Sequence, residues 1–217
     1  SQAPATDAEL GEVTCPPGES RHCFTVRVSE PVLWDLSNPF LYHLRLTSDG
    51  KPLGQTRFGF RKFEVRGNEF RLNGHPIHVL GANPGDGWNR RPQIYCFNKA
   101  NALRLGLKLF KEANLNFVRV HNGPRTQIFY DICDELGLIV QNDFSPPSTA
   151  MKQDEIGRAE MIAQVHIDSY VNADGSLTAD FRKLLGKWLA GLYNHPANCA
   201  FTAGNEVGHS QLAKRAV

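Results

Sequence analysis

Residues 116–144 read NFVRVHNGPRTQIFYDICDELGLIVQNDF. Asn116 to His121 reads as a short strand. Thr126 stands where a helix N-cap belongs, and Ile128, Phe129, Ile132, Cys133 and Leu136 then share one face at helical spacing. Gly137 stops that helix, because a residue without a Cβ enters the left-handed region freely. Leu138 to Val140 begins the next strand. Strand, helix and strand in so short a stretch make a βαβ unit, the connection that parallel strands require.

The same alternation extends both ways. Upstream, Ile77 to Gly81 is an apolar strand candidate, and residues 98–113 form a helix with a stripe through Leu103, Leu107 and Phe110, widened by Leu105 and Leu109. Downstream lies a long polar stretch, about 144–176, with Pro146-Pro147 and a short helical piece near 156–166. Thr178 then caps a helix carrying Phe181, Leu184, Leu185, Trp188, Leu189 and Leu192, which Asn194-His195-Pro196 ends. Asn198 to Gly204 is the fourth strand. Four such strands argue for a parallel sheet covered by helices. Two architectures fit these residues: a doubly wound sheet, or the first half of a (β/α)8 barrel. No GxGxxG follows the first strand and no Walker lysine motif occurs, which argues against a nucleotide site.

Before residue 75 the pattern is different. His22 to Val28 reads as a strand, and Phe40 to Leu46 puts Phe40, Tyr42, Leu44 and Leu46 on one face at period two. Ser48-Asp49-Gly50 is a turn, Thr56 to Val65 is another strand, and Phe70 to Leu72 runs into the hairpin dipeptide Asn73-Gly74. This region looks like a small antiparallel sandwich, shorter than the about seven strands such a domain uses.

The 217 residues are 41% hydrophobic and 21% charged, with a net charge of +2, an ordinary soluble globular composition. Nothing supports nucleic-acid binding, which needs a concentrated basic face. No apolar run reaches membrane-spanning length, and SQAPATDAEL has no signal-peptide core; a segment before Ser1 is compatible with this start. Localisation is not legible, with an extracytoplasmic setting the one favoured. Five scattered cysteines form no disulfide framework and no CxxC pair. Cys133 and Cys199 are expected as buried thiols, whereas Cys15 and Cys23 flank a Pro-Pro-Gly turn and leave a pairing open. No cofactor or metal is called for; His75, His78 and His195 lack ligand-like spacing and read as structural.

In parallel α/β folds reactive groups gather at the carboxyl ends of the strands. The four strands here lead to Asn83 and Asp86, to Arg119 with His121-Asn122, to Gln141-Asn142-Asp143, and to Asn205-Glu206. Together they suit a polar pocket at one mouth of a barrel. Each has an ordinary structural alternative. Glu206 could start a helix and Asn205 could hold a turn. Arg119 could pair with Asp143 or Asp86, Asp143 could cap the following loop, and His121 could simply be packed.

WDLSNPFLY (34–42), RFGFRKFEV (57–65), FRLNGHPIHVLGAN (70–83), the 116–144 stretch and HPANCAFTAGNEVG (195–208) together resemble glycoside hydrolase family two, over roughly residues 24–208. That family includes β-galactosidases, β-glucuronidases and β-mannosidases. The resemblance implies an immunoglobulin-like β-sandwich portion, incomplete, over 21–66, after a polar leader or linker at 1–20. It implies the first four βα units of a TIM barrel over 67–217. It also implies retaining hydrolysis of terminal β-glycosidic bonds, in which two carboxyl groups stand about 5–5.5 Å apart. Glu206 matches the general acid/base, and the family's nucleophile, on the seventh strand, has no counterpart in this sequence. Asn205 matches the residue that hydrogen-bonds the sugar 2-hydroxyl. Arg119 matches an arginine that keeps the nucleophile ionised and oriented. Asn83 and Asp143 match positions lining the sugar pocket; His121 is a further candidate contact, and Trp88 could either stack on a sugar face or pack within its loop. VQNDF and GANPGDGW stand nearer the mannosidase-like subgroup, VRVHNGP does not, and the insertion at 144–176 fits no subgroup, so the sugar stays open. The expected partners are a carbohydrate and the rest of the same polypeptide or a complementary chain, with self-association through open strand edges, and neither nucleic acid nor membrane. A non-catalytic carbohydrate-binding or structural piece on the same scaffold is the alternative.

Overall fold

The structure, a computed structural model, describes residues 7–14, 16–84, 99–121, 125–143 and 178–202. The chain divides into two compact units, Ser1–Val32 and Leu33–Val217. In the first, His22 to Val28 is not a strand. Phe24 and Val26 are both exposed, so the run buries no face that would set a register. Cys23 is exposed, and Cys15, its proposed mate, lies outside the described residues.

The second unit begins with two antiparallel sheets. Strands β1 (Tyr42–Ser48) and β2 (Lys51–Phe58) pair around Asp49-Gly50, where both residues take positive φ. Phe40, Tyr42, Phe58 and Phe60 pack ring against ring at one end of this ladder. Leu44 and Leu46 remain exposed. The strand expected over Thr56 to Val65 is broken after Phe58. Gly59 passes so close to the loop before the last strand that a Cβ would stand 2.9 Å from Pro196 Cγ and 3.0 Å from Trp34 Cβ. Arg61 then donates from Nε to the Pro196 carbonyl at 3.0 Å and from Nη2 to the Asn198 carbonyl. Those contacts draw the backbone off the first ladder. It re-enters as β3 (Phe63–Arg66), which pairs with β4 (Glu69–Leu72), which pairs with β5 (His75–Ile77). Asn73 (φ 53°) and Gly74 (φ 84°) make the β4–β5 turn, with the positive angles such a hairpin requires.

Ile77 therefore belongs to an antiparallel strand, and the parallel sheet starts later, at β6 (Gly81–Ala82). It continues through β7 (Phe117–Val120), β8 (Ile139–Asp143) and β9 (Asn198–Thr202). Helices α1 (Lys99–Glu112), α2 (Gln127–Leu136) and α3 (Ala179–Leu192) stand between successive strands. The sheet order is β6-β7-β8-β9, each strand beside its predecessor. A doubly wound sheet reverses order at a switch point, whereas a barrel steps steadily round. The observed order is that of a barrel. The segment expected as helical near 156–166 lies outside the described residues, as does the 144–176 insertion of which it is part.

Leu107 is buried, with Leu103 and Phe110 packed against the core. Leu105 and Leu109 are exposed and do not widen the stripe. Two positions along a helix is a rotation of about 200°, which carries them to the face away from Leu107. In α2, Phe129, Ile132 and Cys133 are buried while Ile128 is exposed. Thr126 occupies the N-cap with an extended backbone but no side-chain cap bond; its carbonyl accepts from Phe129 N–H at 2.9 Å. Gly137 closes the helix at φ 67° and donates to Cys133 O. Lys111 Nζ donates to Leu36 O at 2.7 Å and Gly137 O at 2.9 Å, tying the end of α2 to the segment after Trp34. Among the described residues no helix is long and apolar enough to cross a membrane.

Candidate active site

Side chains alternate along a strand, and residues paired across a ladder point the same way. The parallel register pairs Phe117 with Ile139, Arg119 with Gln141, Gln141 with Ala200 and Asp143 with Thr202. Those residues share one face. Val118, Val120, Val140, Asn142 and Phe201 share the other. The helices cover this second face: Tyr130 of α2 hydrogen-bonds Asn142 at 2.8 Å, and Trp188 of α3 packs its ring against Phe201 with centroids 5.6 Å apart. The Arg119 face thus turns away from the helices, as the inside of a barrel does.

At the carboxyl end of that face four side chains meet. Arg119 Nη2 lies 2.6 Å from Asp143 Oδ2, and Arg119 Nε donates to Oδ1 at 3.4 Å. Thr202 Oγ1 donates to Asp143 Oδ1 at 2.6 Å, and Gln141 Nε2 reaches the same oxygen at 3.4 Å. The Asp143 side chain is 0% exposed, while Arg119 keeps 37% of its side chain exposed. Of the two partners weighed for Arg119, Asp143 is one it pairs with; Asp86 lies outside the described residues. Asn83 and His121 each lie one residue past a strand, two positions on from Gly81 and Arg119. Asn83 is exposed and His121 half-buried, with its carbonyl accepting from Arg125 Nη2 at 3.4 Å. Glu206, Asn205, Trp88 and Asn122 lie outside the described residues.

Asn142, read as one of the polar strand-end groups, points the other way. It is buried, accepts from Tyr130 Oη, and donates to Asn198 Oδ1 at 2.9 Å. Sequence reasoning missed Thr202. Period two counted along β9 puts Asn198, Ala200 and Thr202 on one face, but the ladder shifts between Val140 and Gln141. That irregularity leaves Asn198 facing the helices and Thr202 facing the mouth, and no sequence signal announces it. Gln141 was visible as a strand-end residue and its pairing with Asp143 was not.

A second polar cluster lies on the helix side. His195 Nδ1 is 2.5 Å from Asp134 Oδ2, Ala197 N–H donates to Asp134 Oδ1 at 2.9 Å, and Trp34 Nε1 donates to the Asp134 carbonyl at 2.8 Å. The Gln127 side chain meets the other ring nitrogen of His195. Burial pushes the Asp134 carboxyl up from its ordinary value, against the hydrogen bond to His195, which lowers it. Ligand atoms of Asp131, Asp134 and His195 lie within 4.8 Å of one another. Asp131 Oδ1 is already paired with Arg57 Nη2 at 2.7 Å, and both Asp134 oxygens are engaged, so the donor set is spent on protein contacts. His195, read from its spacing as structural, has both ring nitrogens facing side chains of α2. Burial raises the Cys133 thiol well above its usual range and the Cys199 thiol to about 11, which keeps both inert as nucleophiles.

Residues 63–216 match the family described as "Glycosyl hydrolases family 2, TIM barrel domain". A β-galactosidase of Staphylococcus xylosus is 30% identical over 132 residues, 61% of this chain and 13% of that protein. A β-galactosidase of Aeromonas hydrophila is 28% identical over 189 residues, 85% of this chain and 17% of that protein. The solved structure of Parabacteroides merdae β-glucuronidase superposes with a TM-score of 0.57 at 22% identity, covering 83% of this chain and 20% of that one, and shows the same fold. The chain spans less than a fifth of the length of these curated relatives.

Proposed function

This chain belongs to glycoside hydrolase family 2, and on that premise we propose that it supplies the acid/base half of a retaining β-glycosidase active site. Glu206 protonates the departing glycosidic oxygen while a nucleophilic carboxylate from outside these 217 residues attacks the anomeric carbon. Glu206 then takes a proton from the water that displaces the enzyme carboxylate, and the sugar leaves with its configuration retained. Such an acid works protonated, so apolar surroundings and the neighbouring nucleophile's charge should raise its pKa. Asn205 hydrogen-bonds the sugar 2-hydroxyl. Arg119 holds the nucleophile ionised, Asn83 and His121 line the pocket, and Trp88 stacks against a sugar face.

The observation that carries this reading is the charged cluster on the sheet face turned away from the described helices. Arg119 and Asp143 stand at the carboxyl ends of consecutive parallel strands, and β9 leads into Asn205-Glu206. Residues 21–66 would then contribute to an immunoglobulin-like sandwich, with the β1–β2 ladder and its aromatic end as support, and residues 67–217 to four βα units. β-Galactosides and β-glucuronides are the first substrates to try, since relatives carry those names. The rest of the polypeptide, a complementary chain or a second copy would complete the barrel.

The test is Glu206→Gln in the full-length enzyme, assayed on aryl β-glycosides of graded leaving-group ability. Poor leaving groups need the proton, so their glycosylation rate should fall by about 10²–10⁴ while activated ones lose far less. An equal loss across the series would remove Glu206 from the acid role. The isolated 217-residue chain should show no turnover; activity that vanishes with Glu206→Gln would overturn the need for an outside nucleophile.

A further inference from the structure

The sequence places Asp143 among the sugar contacts, and its surroundings describe a different task. A carboxylate that binds sugar hydroxyls must present an oxygen to the pocket. The Asp143 side chain is 0% exposed, and its oxygens take Thr202 Oγ1, Arg119 Nη2 and, at longer range, Arg119 Nε and Gln141 Nε2. Among the described residues three donors stand on Oδ1, two of them at 3.4 Å, and Arg119 Nη2 stands on Oδ2, so both oxygens are engaged within the protein. The donors come from three adjacent strands: Arg119 from β7, Gln141 from β8 itself and Thr202 from β9. The guanidinium is the member that stays partly open, at 37%.

We infer that Asp143 and Thr202 are positioning residues, the threonine hydroxyl fixing the carboxylate and the carboxylate fixing Arg119 in the orientation from which it faces the pocket. The chain of contacts has a direction. Thr202 Oγ1 and Asp143 Oδ1 make the shortest link on that oxygen at 2.6 Å, which leaves Oδ2 aimed at Arg119 Nη2, again at 2.6 Å. An arginine fork holds a planar partner in one plane, so anchoring one edge of the guanidinium fixes where the other edge points. Thr202 also lies in the strand that leads to Asn205-Glu206, so one hydroxyl ties the segment bearing the acid to the arginine that serves the nucleophile. This inference rests on the acid/base reading above.

The experiment is a set of Thr202 variants in the full-length enzyme, with Glu206→Gln beside them as a control. Thr202→Val keeps the shape and removes the donor, Thr202→Ala removes it with less crowding, and Thr202→Ser keeps it. Misplacing a catalytic group by a fraction of an ångström should lower kcat by about tenfold to a hundredfold in Thr202→Val and Thr202→Ala, with KM and competitive-inhibitor affinity little changed. Loosening the cation should also move the acid limb of the kcat/KM profile to higher pH, because a nearby positive charge is what keeps a carboxylate's pKa low. Thr202→Ser should restore both. Variants that match the natural enzyme in kcat and pH profile overturn the inference. So does a loss confined to KM and inhibitor affinity, which would make Asp143 a sugar contact after all. Failure of both Thr202→Val and Thr202→Ala to fold while Thr202→Ser folds would assign the hydroxyl to stability alone and likewise overturn it. If Glu206→Gln keeps full turnover, the acid/base reading has failed; if only the Thr202 variants are silent, the positioning role alone has failed.

Discussion

Asp134 and Asp143 are both buried, and both are surrounded by donors, yet they stand on opposite faces of one sheet. Asp134 belongs to α2 on the helix-covered side. Its partners are a histidine, a backbone N–H and, through its carbonyl, an indole, and they fasten the loop that enters β9. Asp143 ends β8 on the face away from the described helices, and its partners are side chains of its own and the two neighbouring strands. Burial and pairing are alike in the two. Position is not: one sits where β9 begins, the other where β7, β8 and β9 finish, which is the end at which parallel α/β folds collect reactive groups. A buried, paired carboxylate is therefore no mark of chemistry until its strand end is known.

The strongest way to break this comparison is Asp134→Ala. It leaves His195 and the Ala197 N–H without their buried partner, and urea unfolding should show a loss of about 3–5 kcal/mol. Turnover per folded molecule of the full-length enzyme should hold. A fall in turnover with stability intact would put Asp134 in the machinery and erase the distinction.

A smaller effect separates two neighbours in the chain. Asn142→Ala strips the buried link between Tyr130 and Asn198 and should cost about 1–3 kcal/mol. Gln141→Ala, one residue earlier on the opposite face, should cost about 0.5 kcal/mol or less. Equal losses in denaturant titrations would mean that the two faces are not energetically distinct.

The smallest effect is a pH dependence. The folded Asp134 carboxyl lies above its ordinary value of 3.8, chiefly through burial. The native state therefore binds its proton more tightly than the unfolded chain. Its contribution is fully present below pH 3.8 and is lost as pH rises from there through the folded value. Asp134→Asn has no such proton to lose. Measured against the natural chain, the variant's relative stability should rise over that window. A relative stability that falls instead would show the His195 contact outweighing burial, and the carboxyl's shift would be downward.

Much of the fold was legible because its signals are local. Period 3.6 in Phe129, Ile132 and Cys133, a glycine at positive φ after Leu136, and Asn-Gly between two short strands all depend on near neighbours in the chain. Glu206, Asn205, Arg119 and Asn83 were marked by strand-end position and by family resemblance, both of them sequence properties. The errors have another origin. Thr56 to Val65 has the composition of one strand, and it breaks because Pro196, remote in the chain, crowds Gly59 while Arg61 turns to the carbonyls beside it. Leu105 and Leu109 are exposed for a reason of another kind, since two positions along a helix turn them about 200° from Leu107, and that much follows from spacing alone.

The residues alone determined that strands alternate with helices, that the strands end in polar groups, and which family those groups resemble, since each follows from spacing along one chain. Two architectures nevertheless stayed open, because the order of strands is a relation between segments and leaves no trace in the period of any one of them. The tertiary structure chose by setting β6, β7, β8 and β9 side by side in chain order. It also decided which face each strand-end residue serves. A ladder slip between Val140 and Gln141 moves Asn198 to the helices and leaves Thr202 on Asp143. The side-chain period of a strand is two, so one irregular step exchanges inside for outside, and here β9 advances two residues, Asn198 to Ala200, while β8 advances one.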